Sequence, residues 1–450
     1  MTMPTADPQR GAEVHALDRA HVFHSWSAQA GLNPMVIAGG EGSYVWDFDG
    51  NRFLDFSSQL VNTNIGHQHP KVVAAIAEQA NILATVAPQH ANAARGEAAK
   101  RIVARASQRH TKVFFTNGGA DGVENAIRMA RLHTNRHKVL SFYRSYHGNT
   151  GASIVATGDP RRWPNEFAAG HVHFFGPFLY RSAFWATDEA TECARALEHL
   201  EQVIAFEGPA TIAAILIESV VGTAGVMSPP AGYLEGVRAL CDKHGIVWIA
   251  DEVMAGFGRT GQWFAYQNWT AEPDLIVFAK GVNSGYIPLG GVIISAEIAA
   301  TFDTRVFPGG LTYSGHPIAC ASAVAALDVM AEEGIVENAR AIGENVLGPG
   351  LRALAERHPV IGEVRGLGVF WALDLVSDRA TKEPLAPYGG TSAAMGQLVA
   401  ESKKRGLLPF VNYHRLHVVP PCIVTEGEAK DGLAILDEVL SVTDQHYTGA

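Results

Sequence analysis

The sequence predicts an α/β protein built on a mostly parallel sheet, and three observations carry that prediction. Short apolar runs, "KVFFTN", "KVLSFY", "IAAILIES", "IVWIAD" and "DLIVFAK", recur between residues 112 and 280. Strands covered on both faces read as near-continuous runs of this kind. Segments with helical spacing separate them, as in "ADGVENAIRMARLHT", which puts Val123, Ala126, Ile127 and Ala130 on one face. Finally, three strands end on ionisable residues: Glu218 after "AAILI", Asp251 after "IVWIA" and Lys280 after "DLIVFA". Ligands of open α/β sheets sit at the carboxyl ends of the strands. Two carboxylates and an amine are therefore expected on one sheet edge.

The elements follow in order. The first forty residues are mixed and aromatic-rich ("HVFHSWSAQ") and read as an arm. "GGEGSYVWDFDGNRFLDF" alternates around an Asp-Gly turn and reads as a hairpin. "HPKVVAAIAEQANIL" reads as a helix, with Pro70 placed to start it. From about Thr111 strand and helix alternate, with a helix from about Ala231 to His244. The stretch between "KVLSFY" and "IAAILIES" reads as irregular, and "GVIISAEI" as a further strand. Beyond "HPIACASAVAALDVMAEEG" a long helix leads through "LRALAERH" to a strand-rich unit, "IGEVRGLGVFWALDLV". "LHVVPPCIVTEGEAKDGLAILDEVLSV" closes the chain as a strand and a helix. The expected organisation is an arm and hairpin over 1–60 that belong to a small domain, a large domain over 61–330, and a smaller α+β domain over 331–450.

Composition narrows the function. The 450 residues suffice for a large core, and 18% charged residues suit a globular enzyme. A formal net charge of −10 argues against nucleic acid, which needs a basic surface. The four cysteines, Cys193, Cys241, Cys320 and Cys422, are widely spaced and form no CxxC pair, so a reducing, cytoplasmic location is expected. The N-terminus lacks the apolar centre of a signal peptide, and no apolar run reaches the roughly 18 residues that span a bilayer. "GHQHP" and "HVH" place histidines two apart, but no carboxylate cluster accompanies them, so no metal is expected. "NGGADG" is neither a Walker loop nor a GxGxxG fingerprint, and no GxSxG element supports a hydrolase.

The three strand-end residues suggest a specific chemistry. A desolvated lysine is neutral, nucleophilic and able to form a Schiff base. Pyridoxal phosphate requires such a lysine, an acid at its pyridinium nitrogen and a phosphate cradle. "FFTNGGADGVENAIRMAR" supplies a candidate cradle, in which a strand ends at Asn117 and a helix starts near Ala120. Backbone N–H groups at a helix start bind phosphate without a cation. "FYRSYHGNTGAS" places Tyr146 at a strand end, able to stack on a flat ring, with His147 beside it.

Taken together, "IVWIADEVMAGFGRTGQWFA", "AKGVNSGYIPLGG", "NGGADGVENAIRMAR", "SYHGNTGAS" and "GGLTYSGHPIACA" resemble the class III (subgroup II) aminotransferases of fold-type I pyridoxal-phosphate enzymes. The resemblance covers nearly the whole chain. It implies a mostly parallel seven-stranded sheet in the large domain, and a homodimer or dimer-based tetramer with shared active sites. It also implies roles. Lys280 would hold the cofactor as a Schiff base and then shuttle a proton, and Asp251 would pair with the pyridinium nitrogen. Val253 and Tyr146 would pack on the two ring faces, while Gly119 and Ala120 would offer N–H groups to the phosphate. Thr312 would reach the phosphate in the neighbouring subunit. Glu218 would lie near the ring's hydroxyl edge, with His147 beside the ring.

The chain departs from the family pattern in places. Gly118 and Ala120 stand where the family commonly has hydroxyl residues, and Gly309 where it has a histidine. Relatives acting on ornithine-like substrates carry an arginine at the position of His417, and relatives acting on ω-amino acids with pyruvate carry one at Phe410. Arg415 is the nearby arginine, and its fork suits the acid group of donor or acceptor. Trp26 and Tyr286 are further pocket candidates. The expected activity moves an amino group from an ω-amino acid or similar amine to a keto acid, pyruvate first, by a ping-pong cycle. An aminomutase, racemase or decarboxylase on the same scaffold is the alternative. The donor (β-alanine, taurine or a diamine) stays open at this point.

Overall fold

The structure, a computed structural model, describes residues 5–166 and 168–449. The first four residues of the expected arm therefore lie outside the described residues. At its centre is a seven-stranded sheet: β1 His110–Thr116, β2 Lys138–Phe142, β3 His171–Phe174, β4 Ile212–Glu218, β5 Val247–Asp251, β6 Leu275–Phe278 and β7 Gly290–Ser295. Their order across the sheet is β1-β7-β6-β5-β4-β2-β3. The strands run parallel from β6 to β3, and only β7 is antiparallel to its neighbours β1 and β6. This is the seven-stranded, mostly parallel sheet of fold type I. Every residue of β4, β5, β6 and β7 is buried, which is why their sequences are unbroken apolar runs rather than alternating ones.

Helices cover both faces. The Gly119–Thr134 helix buries Gly122, Val123, Ala126, Ile127, Met129 and Ala130 against β6 and β7. Gly122 is required there, because a Cβ would lie 2.8 Å from Val277. On the other face, Pro317–Glu332 packs with Pro70–Ile82 and Ala93–Val103. The stretch read as irregular contains edge strand β3 and a 19-residue helix, Glu189–Glu207. That helix buries only Glu192, Cys193, Ala196, Leu200 and Ile204, so its apolar stripe is thin among charged residues.

Two smaller sheets flank this core. Strands Ile37–Glu41, Tyr44–Asp47 and Arg52–Asp55 form an antiparallel meander around the Asp-Gly turn, and Leu407–Leu408 joins its edge in parallel. The N-terminal hairpin and the C-terminal segment thus share one sheet. Ile361–Leu367, Phe370–Asp378, Arg415–Val418 and Phe410–Asn412 form the other, wholly antiparallel, with Glu383–Pro384 paired to its second strand. The Pro317–Glu332 helix runs through the expected boundary at residue 330. No helix among the described residues is long and apolar enough to cross a membrane.

Candidate active site

The site is built by register. Glu218 pairs directly with Asp251 across β4 and β5, and Asp251 with Val277 across β5 and β6. Parallel pairing therefore places both carboxylates side by side at the carboxyl edge of the sheet. Lys280 follows β6 by two residues, on a short 3-10 turn that spans Lys280–Val282, in a left-handed conformation with φ 43°. A non-glycine residue held there is uncommon and signals a constrained position. These three residues line one cavity of ≈ 400 Å³ together with Gly119, Ala120, Tyr146, His147 and Val253.

Each group is held by named contacts. Asp251 is buried, with Oδ2 2.7 Å from Nδ1 of His147 and Oδ1 accepting from the Val253 N–H at 3.1 Å. A carboxylate only accepts, so His147 Nδ1 carries the proton. His147 Nε2 is buried and has no hydrogen-bond partner among the described residues. Glu218 accepts from the Tyr146 N–H at 3.1 Å and from the Gly222 N–H at 2.8 Å. Burial pushes its carboxyl up to about 7, and the Asp251 charge adds to the rise. Lys280 is half-buried at the cavity wall; desolvation brings its ammonium down to about 8, against the opposing pull of Asp251 and Glu218. About a tenth of the amine is then neutral and nucleophilic at pH 7.

The Gly119–Thr134 helix begins at the cavity with Gly118 as its cap and no capping side chain. Its first N–H groups have no intrahelical acceptor and point from a positive helix end. A Cβ at Gly119 would stand 2.8 Å from Val253, so glycine is what allows the helix start and the β5 loop to meet. Gly148 adopts φ +126°, and a Cβ there would fall 2.6 Å from Ala120. An anion cradle, an amine and a carboxylate lining one cavity are the three requirements of pyridoxal phosphate, and the residues present fit it.

The comparisons agree with that geometry. The family described as "Aminotransferase class-III" matches residues 26–440. The chain belongs to the class III aminotransferases. It is therefore a pyridoxal-phosphate-dependent aminotransferase, which transfers an amino group from an amine to a keto acid. Among solved structures it is similar to taurine:2-oxoglutarate aminotransferase from Bifidobacterium kashiwanohense, in complex with PLP and glutamate, at 43% identity and TM-score 0.95 over 100% of both chains. Among curated proteins it is similar to taurine–pyruvate aminotransferase of Bilophila wadsworthia, 31% identical over 97% of this chain and 98% of that one. It is likewise similar to taurine–pyruvate aminotransferase of Rhodobacter capsulatus, 35% identical over 94% and 95%.

The structure does not gather every candidate. Thr312 is exposed and lies outside the cavity formed by its own chain. Trp26 is 64% exposed and does not line it. Tyr286 lines an adjoining cavity, and its hydroxyl is already engaged, accepting from the His69 N–H at 2.6 Å and donating to the Gly66 carbonyl at 3.0 Å. Arg415 is buried and is not part of the cavity wall. Sequence reasoning missed Arg161, whose guanidinium lies 3.5 Å over the Tyr146 ring while its fork is paired with Asp159. It also missed Leu60 and Asn62 in the wall. They arrive from the segment after the N-terminal hairpin, where Asp55 accepts from Gln59 Nε2 at 2.9 Å and Ser57 Oγ at 2.5 Å. Only tertiary packing brings that loop to the sheet edge. Among the described residues no group of three or more His, Cys, Asp or Glu side chains is placed to hold a metal ion.

Proposed function

We propose that this aminotransferase takes its amino group from a short amine that carries a distal acid, an ω-amino acid or an aminosulfonate, and passes it to pyruvate or another keto acid. The observation that carries the reading is Arg415, a buried guanidinium whose Nε has no acceptor among the described residues and which packs on Gly225, two residues past Thr223 in the wall of the cavity. An acid group on the substrate would supply the missing partner. The names of the relatives support an aminosulfonate donor.

The residues divide the work as follows. Bound cofactor supplies an electron sink that stabilises negative charge at the amine-bearing carbon. Lys280 Nζ would anchor the cofactor and then carry the proton from that carbon. Asp251, fixed by His147 and the Val253 N–H, would keep the ring nitrogen protonated. Val253 and Tyr146 would confine the ring faces, and the N–H groups of Gly119 and Ala120 would hold the phosphate. Glu218, at the remaining wall, is poised near neutral pH to change charge as substrate enters. Thr312 would serve a second copy, which makes the working unit a homodimer or a dimer of dimers. The exposed Thr312 and an arm helix, Pro8–His21, with no buried residue support that arrangement. The four free, buried cysteines support a reducing, cytoplasmic setting. The division into 1–60, 61–330 and 331–450 stands as an organisational proposal, with the sheet shared by Tyr44–Asp55 and Leu407–Leu408 in its favour.

A donor screen tests the reading. Taurine, β-alanine and a diamine are each offered with pyruvate, read as alanine, and with 2-oxoglutarate, read as glutamate. Turnover of an acid-bearing donor above the diamine is expected. A preference for the diamine, or turnover of any donor without a keto acid, would reject the assignment.

A further inference from the structure

We propose that Glu124 is a positioning residue for the amino transfer: it fastens the turn that carries Tyr146 and His147 to the helix whose start is assigned to the cofactor phosphate, and so fixes the two ends of the cofactor relative to each other. The proposal rests on the placement of phosphate and ring given above. It adds a residue that touches neither, since Glu124 does not line the cavity.

Helical spacing puts Ala120 and Glu124 on one face of the Gly119–Thr134 helix. That face meets the segment 146–157. At Ala120 the meeting is close, because a Cβ on Gly148 would fall 2.6 Å from the alanine Cβ. One turn further along, Glu124 Oε1 accepts from Thr150 Oγ1 at 2.7 Å and from the Ser153 N–H at 3.0 Å. Thr150 and Ser153 are the cap and the third residue of the short Gly151–Ala156 helix, and the Thr150 N–H donates to Ser153 Oγ at 3.1 Å. Thr157 closes the unit: its Oγ1 accepts from the His147 N–H at 3.0 Å and donates to the Ser153 carbonyl at 3.0 Å. The segment 147–157 is therefore one hydrogen-bonded block rather than a loose loop.

Three carboxylates suspend this block. Glu218 accepts from the Tyr146 N–H at 3.1 Å, and Asp251 Oδ2 lies 2.7 Å from His147 Nδ1. Both of those acids stand on the sheet, and Glu124 stands on the helix. Among the described residues its two contacts are the only hydrogen bonds that join helix and block. Without them the phosphate end of the site and the ring end are related by packing alone. A ligand held at two ends binds tightly only when both subsites keep their mutual geometry, because the second contact then forms at high effective concentration. The geometry also specifies the side chain. Both donors reach one oxygen, so the amide oxygen of glutamine, with two lone pairs, can replace it at the same reach. Aspartate keeps the charge and falls a methylene short.

The test compares Glu124→Gln with Glu124→Asp, each as the full chain stripped of cofactor and titrated with pyridoxal phosphate, with pyridoxal and with inorganic phosphate. Glu124→Asp should bind pyridoxal phosphate about tenfold more weakly. Pyridoxal and inorganic phosphate each need one subsite only and should bind within about twofold of wild type. Glu124→Gln should match wild type for all three. After reconstitution, the visible circular dichroism of the lysine-bound cofactor, which reports how the ring is held, should weaken in Glu124→Asp and not in Glu124→Gln. An unchanged Glu124→Asp, a parallel loss of inorganic phosphate binding, or a Glu124→Gln enzyme that loses as much binding or fails to fold would overturn the proposal. Gly119→Ala in the same titrations separates this role from the placement it rests on. Phosphate binding that is absent in wild type or undiminished in Gly119→Ala would fault the placement, and the proposal with it. A loss in Gly119→Ala beside an unchanged Glu124→Asp would fault the role of Glu124 alone.

Discussion

Glu218 gives the most quantitative prediction. Its carboxyl moves from an ordinary 4.5 to about 7 because the fully walled position disfavours the charged form and Asp251 stands in register beside it. At roughly 1.4 kcal/mol for each tenfold change in proton affinity, that displacement amounts to about 3 kcal/mol. The sign follows from the raised value. Below pH 4.5 the side chain is neutral in folded and unfolded chains alike, and its favourable contribution to the fold is fully present. As pH rises through about 7 the folded protein must bury a charge and that contribution disappears. Glu218→Gln cannot ionise, so it should not lose it. The variant does lose one contact, since an amide cannot accept from both the Tyr146 and Gly222 N–H groups; this costs about 1 kcal/mol at every pH. Urea unfolding of cofactor-stripped enzyme, wild type and variant, should therefore show the variant slightly less stable near pH 4.5 and about 2 kcal/mol more stable near pH 8. Parallel stability profiles over that range would refute the argument that desolvation at the paired strand ends sets the charge of this wall.

Three further outcomes follow from the same geometry. Lys280→Ala should abolish turnover and the visible band of lysine-bound cofactor while phosphate-anchored cofactor still co-purifies, which absorbance and phosphate analysis check together. Asp251→Asn keeps an oxygen for His147 yet removes the charge, so kcat should fall by about two to three orders of magnitude with the deuterium isotope effect on the donor carbon rising. Gly119→Ala forces a methyl group against Val253, 2.8 Å away, and should weaken cofactor retention about tenfold, as read by dialysis against fresh buffer.

Some of this molecule is legible in its sequence because local physics and tertiary placement agree. The runs "IAAILIES", "IVWIAD" and "DLIVFAK" are continuous because both faces of β4, β5 and β6 are buried, and parallel pairing then aligns their last residues. The Gly119–Thr134 helix declares itself by its buried stripe, with Val123, Ala126, Ile127 and Ala130 in register. The antiparallel sense of β7 is not legible, because a buried strand reads the same in either direction. The Glu189–Glu207 helix is not legible because charged residues interrupt its apolar positions, and β3 because of the polar histidines of an edge position. In the site, residues that sit at strand ends could be named in advance. Arg161, Leu60 and Asn62 could not, because their approach depends on how separate loops fold over the sheet edge. Trp26 and Tyr286 share the aromatic character of pocket residues, but one faces solvent and the other uses its hydroxyl to tie two loops together.

The central claim is that Lys280, Asp251 and Glu218 run a two-stage amino transfer that depends on an acid-bearing amine and a keto acid. The most direct test mixes purified holoenzyme with taurine or β-alanine alone and follows the visible band of the lysine-bound cofactor, removes the excess amine by desalting, then adds pyruvate. The account predicts loss of the band with the amine, and its return with one equivalent of alanine per site when the keto acid is added. A band that stays constant with every amine, or that recovers without a keto acid, would contradict it.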